Sequence, residues 1–390
     1  QDVREGRTSP SSAARRLPTA GRAPRGAPRR GAGGAYTGAM STPALPRRIR
    51  IVATCLGAVA ACAEAGSPVV PQPAPSGFVD QFEKNGGVFP GYRRNHAKGV
   101  CVVGHFDSSG AAAPYSAAQV FMPGRRSPVV GRFSIPGTNP YAWDDSTPIR
   151  GMALQFTQAD GRQWRTAMNA VAAFPVATPL ANYEFMQAQQ PDPATGDPDP
   201  KRLAAFLADH PTADAFRLWN EGARPSASYA AERYNSLDSF VLVDARGGRH
   251  PVRWRMVPTA GADARPVPAG DPDFLAADLR SRLSHGPLRW HLEIVFPEPG
   301  DAIDNAARAW PQDRRHIDAG TLVIRSSRPR GTCDAINFDP LVLPVGIEPS
   351  DDPLLRLRSA VYAQSHQLRG CERRARRPCS HRAPIPYAKP

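Results

Sequence analysis

The 390-residue chain predicts an α+β fold, an antiparallel β-barrel or sheet with helices outside it. Three observations lead there. Short apolar or alternating runs recur between clusters of Gly, Pro, Asp and Ser. A stretch with helical spacing interrupts them midway. An uninterrupted run without Gly or Pro closes the foldable part.

In order, residues 100–106, 118–122, 129–135, 151–157 and 164–170 read as strands joined by turns, with Asp160-Gly161 a hairpin-type turn. Residues 180–190 and 200–220 carry helical spacing, as in Leu203, Phe206 and Leu207. Residues 239–244, 252–257, 290–296 and 321–325 read as further strands, and 274–283 as a helix. The closing run, Arg358 to Arg369, follows the turn-rich Pro349-Ser350-Asp351-Asp352-Pro353, which is a helix start. On that helix Arg358, Tyr362 and Arg369 fall at i, i+4 and i+11 and share one face. Positive charge beside a phenol favours the phenolate, from a starting pKa of about 10. A phenolate is a hard anionic ligand, although the same pattern also suits a surface helix with arginine–aromatic contacts.

The ends differ from the middle. The formal net charge is +14. Residues 1–50 carry eleven arginines against Asp2 and Glu5, and residues 370–390 carry five arginines and Lys389 against Glu372. The whole excess therefore sits in the ends, and the core offers no electrostatic case for nucleic acid. Residues 1–39 read as a disordered Arg/Pro/Gly-rich extension and 370–390 as a disordered basic tail. Residues 40–65 have the form of a secretory signal: Arg47-Arg48-Ile49-Arg50, a short apolar run, then Ala63-Glu64-Ala65. Val59-Ala60-Ala61-Cys62 also has the form of a lipobox, which would anchor the chain to a membrane through Cys62. Residues 66–76 form a Pro-rich linker and 77–369 the folded domain. Export implies a periplasmic or membrane-anchored location.

None of the six cysteines forms a CxxC pair, so no zinc site is indicated. Cys101 and Cys333 lie in the folded part, and a disulfide or two buried thiols would each suit them. There is no GxGxxG and no P-loop, which argues against dinucleotide and nucleoside triphosphate chemistry of those kinds. The most reactive-looking stretch before the last helix is Arg93-Arg94-Asn95-His96-Ala97-Lys98-Gly99. It places an imidazole, a good proton shuttle, at the mouth of a strand.

Several stretches, in order, resemble the haem catalase superfamily, specifically its short branch of catalase-related peroxidases. Arg93-x-x-His96-Ala97-Lys98-Gly99 is similar to the distal haem segment, and Gly131-Arg132-Phe133-Ser134 to the next barrel strand. Arg150–Phe156, Met168-Asn169-Ala170, Phe174–Pro179 and Tyr234–Phe240 resemble the strands that follow. Ala309-Trp310-Pro311 and Gly320–Val323 resemble the wrapping segment. Gly346–Ser350 leads into Arg358-x-x-x-Tyr362 and Arg369, which resembles the proximal helix. The resemblance implies an eight-stranded antiparallel barrel of the haem catalase type with surrounding helices, lacking the large C-terminal domain.

It also implies one haem b, with Tyr362 as iron ligand and Arg358 keeping the phenolate charged. His96 and Asn169 would be the catalytic distal pair, with Ser134 orienting the imidazole. Arg93, Arg132 and Arg369 are candidates to pair with the haem propionates, and Phe133 and Phe174 to wall the pocket. Asn95 stands where larger catalases carry an apolar residue, which suggests a more open pocket. The activity implied is reduction of hydrogen peroxide and organic hydroperoxides with a small organic electron donor, and weak catalase activity. Two alternatives are a haem-binding lipoprotein without turnover and a hydroperoxide isomerase on the same fold.

Overall fold

The computed structural model describes residues 72–261, 265–376 and 379. The chain begins there with helix α1 (Pro75–Gly86), then β1 (Gly99–Ser108), β2 (Arg126–Ser134), β3 (Gly151–Thr157) and β4 (Gln163–Asn169). Three helices follow, α2 (Pro179–Ala188), α3 (Pro200–Asp209) and α4 (Asp214–Gly222). Then come β5 (Tyr234–Asn235), β6 (Phe240–Val243), β7 (Arg249–Pro258), α5 (Phe274–His285), β8 (Leu288–Val295) and β9 (His316–Arg328). The short α6 (Gly331–Asp334), β10 (Ile347–Pro349) and the long α7 (Pro353–Ala375) complete it.

Eight strands close on themselves in the order β1-β2-β3-β4-β5-β7-β8-β9, with β9 returning antiparallel to β1. Strands β6 and β10 extend from β7 outside the ring. Alternation fixes which side chains fill the barrel. Phe133, Met152, Leu154, Phe156, Trp164, Met168, Trp254 and Trp290 point inward and are buried together. Trp164 stacks on Phe156 with centroids 4.5 Å apart, and the indole N–H of Trp254 donates to Thr166 Oγ1 at 2.9 Å. Closure leaves no long open edge, and the interior is a packed core rather than a channel.

The intervening residues point outward, and on β2–β4 they form the floor of a site. One rung of the ladder pairs Ser134 with Gly151 and Gly151 with Asn169; the next but one pairs Arg132 with Ala153 and Ala153 with Ala167. Glycine and alanine at three of these positions leave the outer barrel face hollow. Helix α7 lies over that hollow. Its first turn is capped by Asp352, whose Oδ1 accepts from Leu354 N at 2.9 Å, with Pro353 at the first helical position. Phe78 and Val79 of α1 pack with Val361 and Leu368 of α7.

Four expectations need correction. Residues 118–122 are a 3₁₀ turn over Gln119–Phe121, not a strand; Val120 and Phe121 are apolar because they are buried. Helix α1 starts at Pro75, inside the stretch read as linker, and no helix was expected there. Helix α7 runs to Ala375, so the first residues assigned to the basic tail are helical. Phe133 faces the barrel core, stacked on Tyr229 at 5.2 Å, and does not line the hollow under α7. The readings for residues 1–71, including Cys55 and Cys62, lie outside the described residues. Cys101 is disulfide-bonded to Cys333, and Cys371 to Cys379.

Candidate active site

A cavity of about 480 Å³ opens between the outer face of β2–β4 and α7, within the usual range for a small-molecule site. Nine of the ten site residues expected from the sequence line it, Phe133 being the exception: Arg93, His96, Arg132, Ser134, Asn169, Phe174, Arg358, Tyr362 and Arg369.

His96 sits on the loop that enters β1, with φ of +54°. A left-handed histidine is uncommon and needs local support. Asn95 supplies it: its Oδ1 accepts from His96 N at 2.8 Å and from Gly137 N at 2.9 Å. Asn95 is thus tied into a turn and shapes the backbone that aims the imidazole. Nδ1 of His96 lies 3.0 Å from Ser134 Oγ, which leaves Nε2 for the cavity. Burial, reinforced by Arg132, Arg358 and Arg93, pushes the imidazole down to about 3, so it is neutral at neutral pH.

The loop is locked to the helix across the cavity. Arg94, 2 % exposed, donates to Glu83 at 2.6 Å and through two nitrogens to Glu372 on α7. Glu372 also accepts from Gly91 N at 2.7 Å, and Ser365 Oγ accepts from Arg94 N at 3.1 Å. This clamp sets the distance between the histidine loop and the tyrosine helix. Sequence reasoning missed it, because nothing in the local pattern pairs residue 94 with residue 372.

On the helix side, Arg358 Nη2 reaches the Tyr362 hydroxyl at 3.5 Å and donates to Ala167 O at 2.8 Å. Its Nη1 donates to Asp238, which is fully buried and was not singled out from the sequence. Phe174 lies beneath the same guanidinium, 6.0 Å from its central carbon.

Arg93, Arg132 and Arg369 cluster at one end of the cavity. They bond only to carbonyls: Arg132 to Ala97 O (2.9 Å), Arg93 to Cys333 O (2.9 Å) and Ile336 O (3.2 Å), Arg369 to Ile336 O (3.0 Å). Burial lowers them to about 10, 9 and 8 for Arg93, Arg132 and Arg369. Among the described residues none has a carboxylate partner. His366, one turn beyond Tyr362, joins this cluster. Its Nδ1 is buried without a partner, and burial followed by Arg369 lowers it to about 4. Three cations without a carboxylate partner, Arg132 and Arg369 buried and Arg93 half-buried, describe a place for carboxylates brought in by a ligand.

A hollow barrel face, a tyrosine held by an arginine, a neutral histidine and an anion cradle fit a haem. Together they define the class: a haem-dependent oxidoreductase of the catalase superfamily. The family model named Catalase matches residues 90–380, and the chain belongs to that family. A catalase-related peroxidase of Synechococcus elongatus is 39% identical over 303 residues, covering 76% of this chain and 88% of the relative. One of Mycolicibacterium paratuberculosis is 35% identical over 312 residues, covering 78% and 97%. A catalase of Pseudomonas aeruginosa is 28% identical over 291 residues, covering 70% and 56%. A solved bacterial catalase superposes with a TM-score of 0.65 at 20% identity, over 72% of this chain and 58% of that one. Catalase A from Saccharomyces cerevisiae gives the same score and identity over 72% and 62%. The chain thus spans about three fifths of these solved catalases.

Proposed function

We propose that this chain is a haem b peroxidase that reduces hydrogen peroxide and organic hydroperoxides with a small organic electron donor, and that it has weak catalase activity. One observation carries the reading: Tyr362, backed by Arg358, and His96, backed by Ser134, face the same cavity. Relatives named catalase-related peroxidase support it.

Bound there, haem iron supplies the redox chemistry that splits a peroxide. The chain's own residues do the rest. The Tyr362 phenolate would hold the iron, and Arg358 stabilises its charge. Arg93, Arg132 and Arg369 would hold the propionates. His96, neutral, takes a proton at Nε2 from one peroxide oxygen and returns it to the departing one. The hydrogen bond at Nδ1 to Ser134 keeps the ring in the orientation this needs. Asn169 orients the peroxide by donating from a neutral amide that does not compete for the proton.

A haem carrier has no need of a distal base, so His96→Ala separates the two readings. In the enzyme it abolishes peroxide turnover while the Soret band persists; in a carrier it changes nothing. Donor oxidation should exceed oxygen release in steady state, and the reverse ratio would overturn the peroxidase assignment. We also propose export to the periplasm, or anchoring there through Cys62. The two disulfides support an oxidising compartment. No helix among the described residues is long and apolar enough to cross a membrane.

A further inference from the structure

The rim of the cavity carries aromatic surface that peroxide reduction does not use. Six large apolar side chains are well exposed among the described residues. Three of them, Val88 (50 %), Tyr141 (69 %) and Trp143 (52 %), come from two loops. Both loops begin in the cavity wall. The first lies between Gly86 and Arg93, and the second follows Thr138; all three of these residues line the cavity. The loops touch at their base, where a Cβ on Gly86 would fall 2.4 Å from Thr138 Oγ1. That hydroxyl is buried and has no partner.

Three of the rings on these loops, Phe89, Tyr92 and Tyr141, form one group. Tyr141 meets Phe89 and Tyr92 edge-on, with centroids 6.3 and 6.2 Å apart. The guanidinium carbon of Arg330 lies 4.0 Å from the Tyr92 ring. Tyr92 is half-buried and directly precedes Arg93, so it joins the exposed rings to the wall of the anion cradle. The Tyr141 hydroxyl beside it, followed by burial, raises the Tyr92 phenol above its ordinary range.

We propose that this rim is where small phenols dock and give up electrons, with Tyr141 and Trp143 holding the donor and Tyr92 linking it to the cavity. The inference rests on the peroxidase reading above. Exposed, electron-rich rings stack on an aromatic donor, and tyrosine hydroxyls hydrogen-bond its phenol. The Arg330 cation opposes a positively charged ring, so Tyr92 passes an electron and a proton together toward the peroxide-oxidised cavity and regains both from the phenol, and cationic donors are disfavoured. The balance is simple. One hydroperoxide takes two electrons and two protons to give an alcohol and water. Two phenols each supply one electron and one proton and leave as phenoxyl radicals.

The test uses the haem-loaded full chain and 4-fluorophenol, followed by fluorine NMR. Relaxation by the iron then reports where the probe sits. The expected result is binding outside the cavity that is unaffected by azide and at least fivefold weaker in Tyr141→Ala/Trp143→Ala. The absorption spectrum and oxygen release from hydrogen peroxide should not change in that variant. Tyr92→Phe should keep fluorophenol binding and lose at least tenfold in phenol oxidation. Displacement of the probe by azide, or unchanged binding in the double variant, would place the donor in the cavity and overturn the proposal. If the unmodified chain binds haem but turns over no peroxide, the peroxidase reading fails instead, and the spectrum and oxygen assay show that separately.

Discussion

Arg358 is pinned between Asp238 and Tyr362. One end of its guanidinium donates to the Asp238 carboxylate, and the other reaches the Tyr362 hydroxyl at 3.5 Å. Burial lowers the guanidinium pKa, but the Asp238 carboxylate outweighs it, and Arg358 stays charged. Asp238 comes from the turn after β5, so the tyrosine helix is fastened to the barrel through this pair. Its Oδ1 has no partner, so Arg358 is the main contact that offsets its burial.

Replacing Asp238 by Ala leaves Arg358 buried with only the Ala167 carbonyl and the tyrosine. Breaking a buried pair in this way costs about 3–5 kcal/mol. Denaturant unfolding should show that loss, and the visible spectrum of the haem-loaded variant should shift because Arg358 then turns its whole charge on Tyr362. A change under about 1 kcal/mol with an unaltered spectrum would show that the pair does not hold the helix.

Gly151 is the spacer of the histidine site. A Cβ there would lie 3.0 Å from Nδ1 and Cε1 of His96 and 3.1 Å from Ser134 Oγ. Gly151→Ala therefore forces the imidazole or the serine to move by a few tenths of an ångström. A catalytic group displaced by about 1 Å can lose 100-fold. We expect kcat/KM for hydrogen peroxide to fall about 10- to 100-fold, with haem content and the tyrosine-ligated spectrum unchanged. Wild-type turnover in Gly151→Ala would mean that the ring has room to spare.

Two half-buried histidines set an acid limb of stability. His96 is lowered from 6.5 to about 3 and His366 from 6.5 to about 4. Both are bases with depressed folded pKa values, so the unfolded chain binds more protons between these limits. Their contribution is fully present above pH 6.5 and is lost as pH falls through the window. The slope should be about 1.4 kcal/mol per pH unit for each histidine. Thermal unfolding of the haem-free chain between pH 6.5 and 4 measures it, and His366→Gln should remove about half of the slope. A slope unchanged in that variant would assign it to other groups.

What the sequence made legible was whatever repeats or stands close together. The strands could be read because each carries its own apolar or alternating run, whereas their closure into a barrel followed from the resemblance to the haem catalases. Arg358, Tyr362 and Arg369 could be read as one face because a helix fixes their spacing. What it hid was pairing at long range. Asp238 and Arg358 are 120 positions apart, and Arg94 and Glu372 are 278 apart. No local period announces either. Helix α1 was missed because Pro75 and the Pro-rich run before it read as linker, although a proline suits the first turn of a helix. His366 was overlooked because a histidine on a helix has no signature until the arginines around it are placed.

The Cys101–Cys333 disulfide leads to the last prediction. It ties β1 to the α6 segment, and that segment supplies the carbonyls of the anion cradle. Cys333 O and Ile336 O accept from Arg93, and Asp334 O and Ile336 O from Arg369. The Asp334 side chain is itself held by Arg330 and Arg373. Opening the disulfide frees one end of this segment and loosens two of the three arginines together. Loss of a native disulfide costs about 2–5 kcal/mol of stability. Loss of one charge-assisted hydrogen bond costs about 1.5–3 kcal/mol, or roughly 10- to 100-fold in an equilibrium constant. Cys101→Ser/Cys333→Ser should therefore give up its haem to an apoglobin acceptor about 10- to 100-fold more readily than wild type. Cys371→Ser/Cys379→Ser, which leaves those carbonyls in place, should not. Equal haem loss from the two variants would mean that the disulfide supports the fold in general and not the cradle.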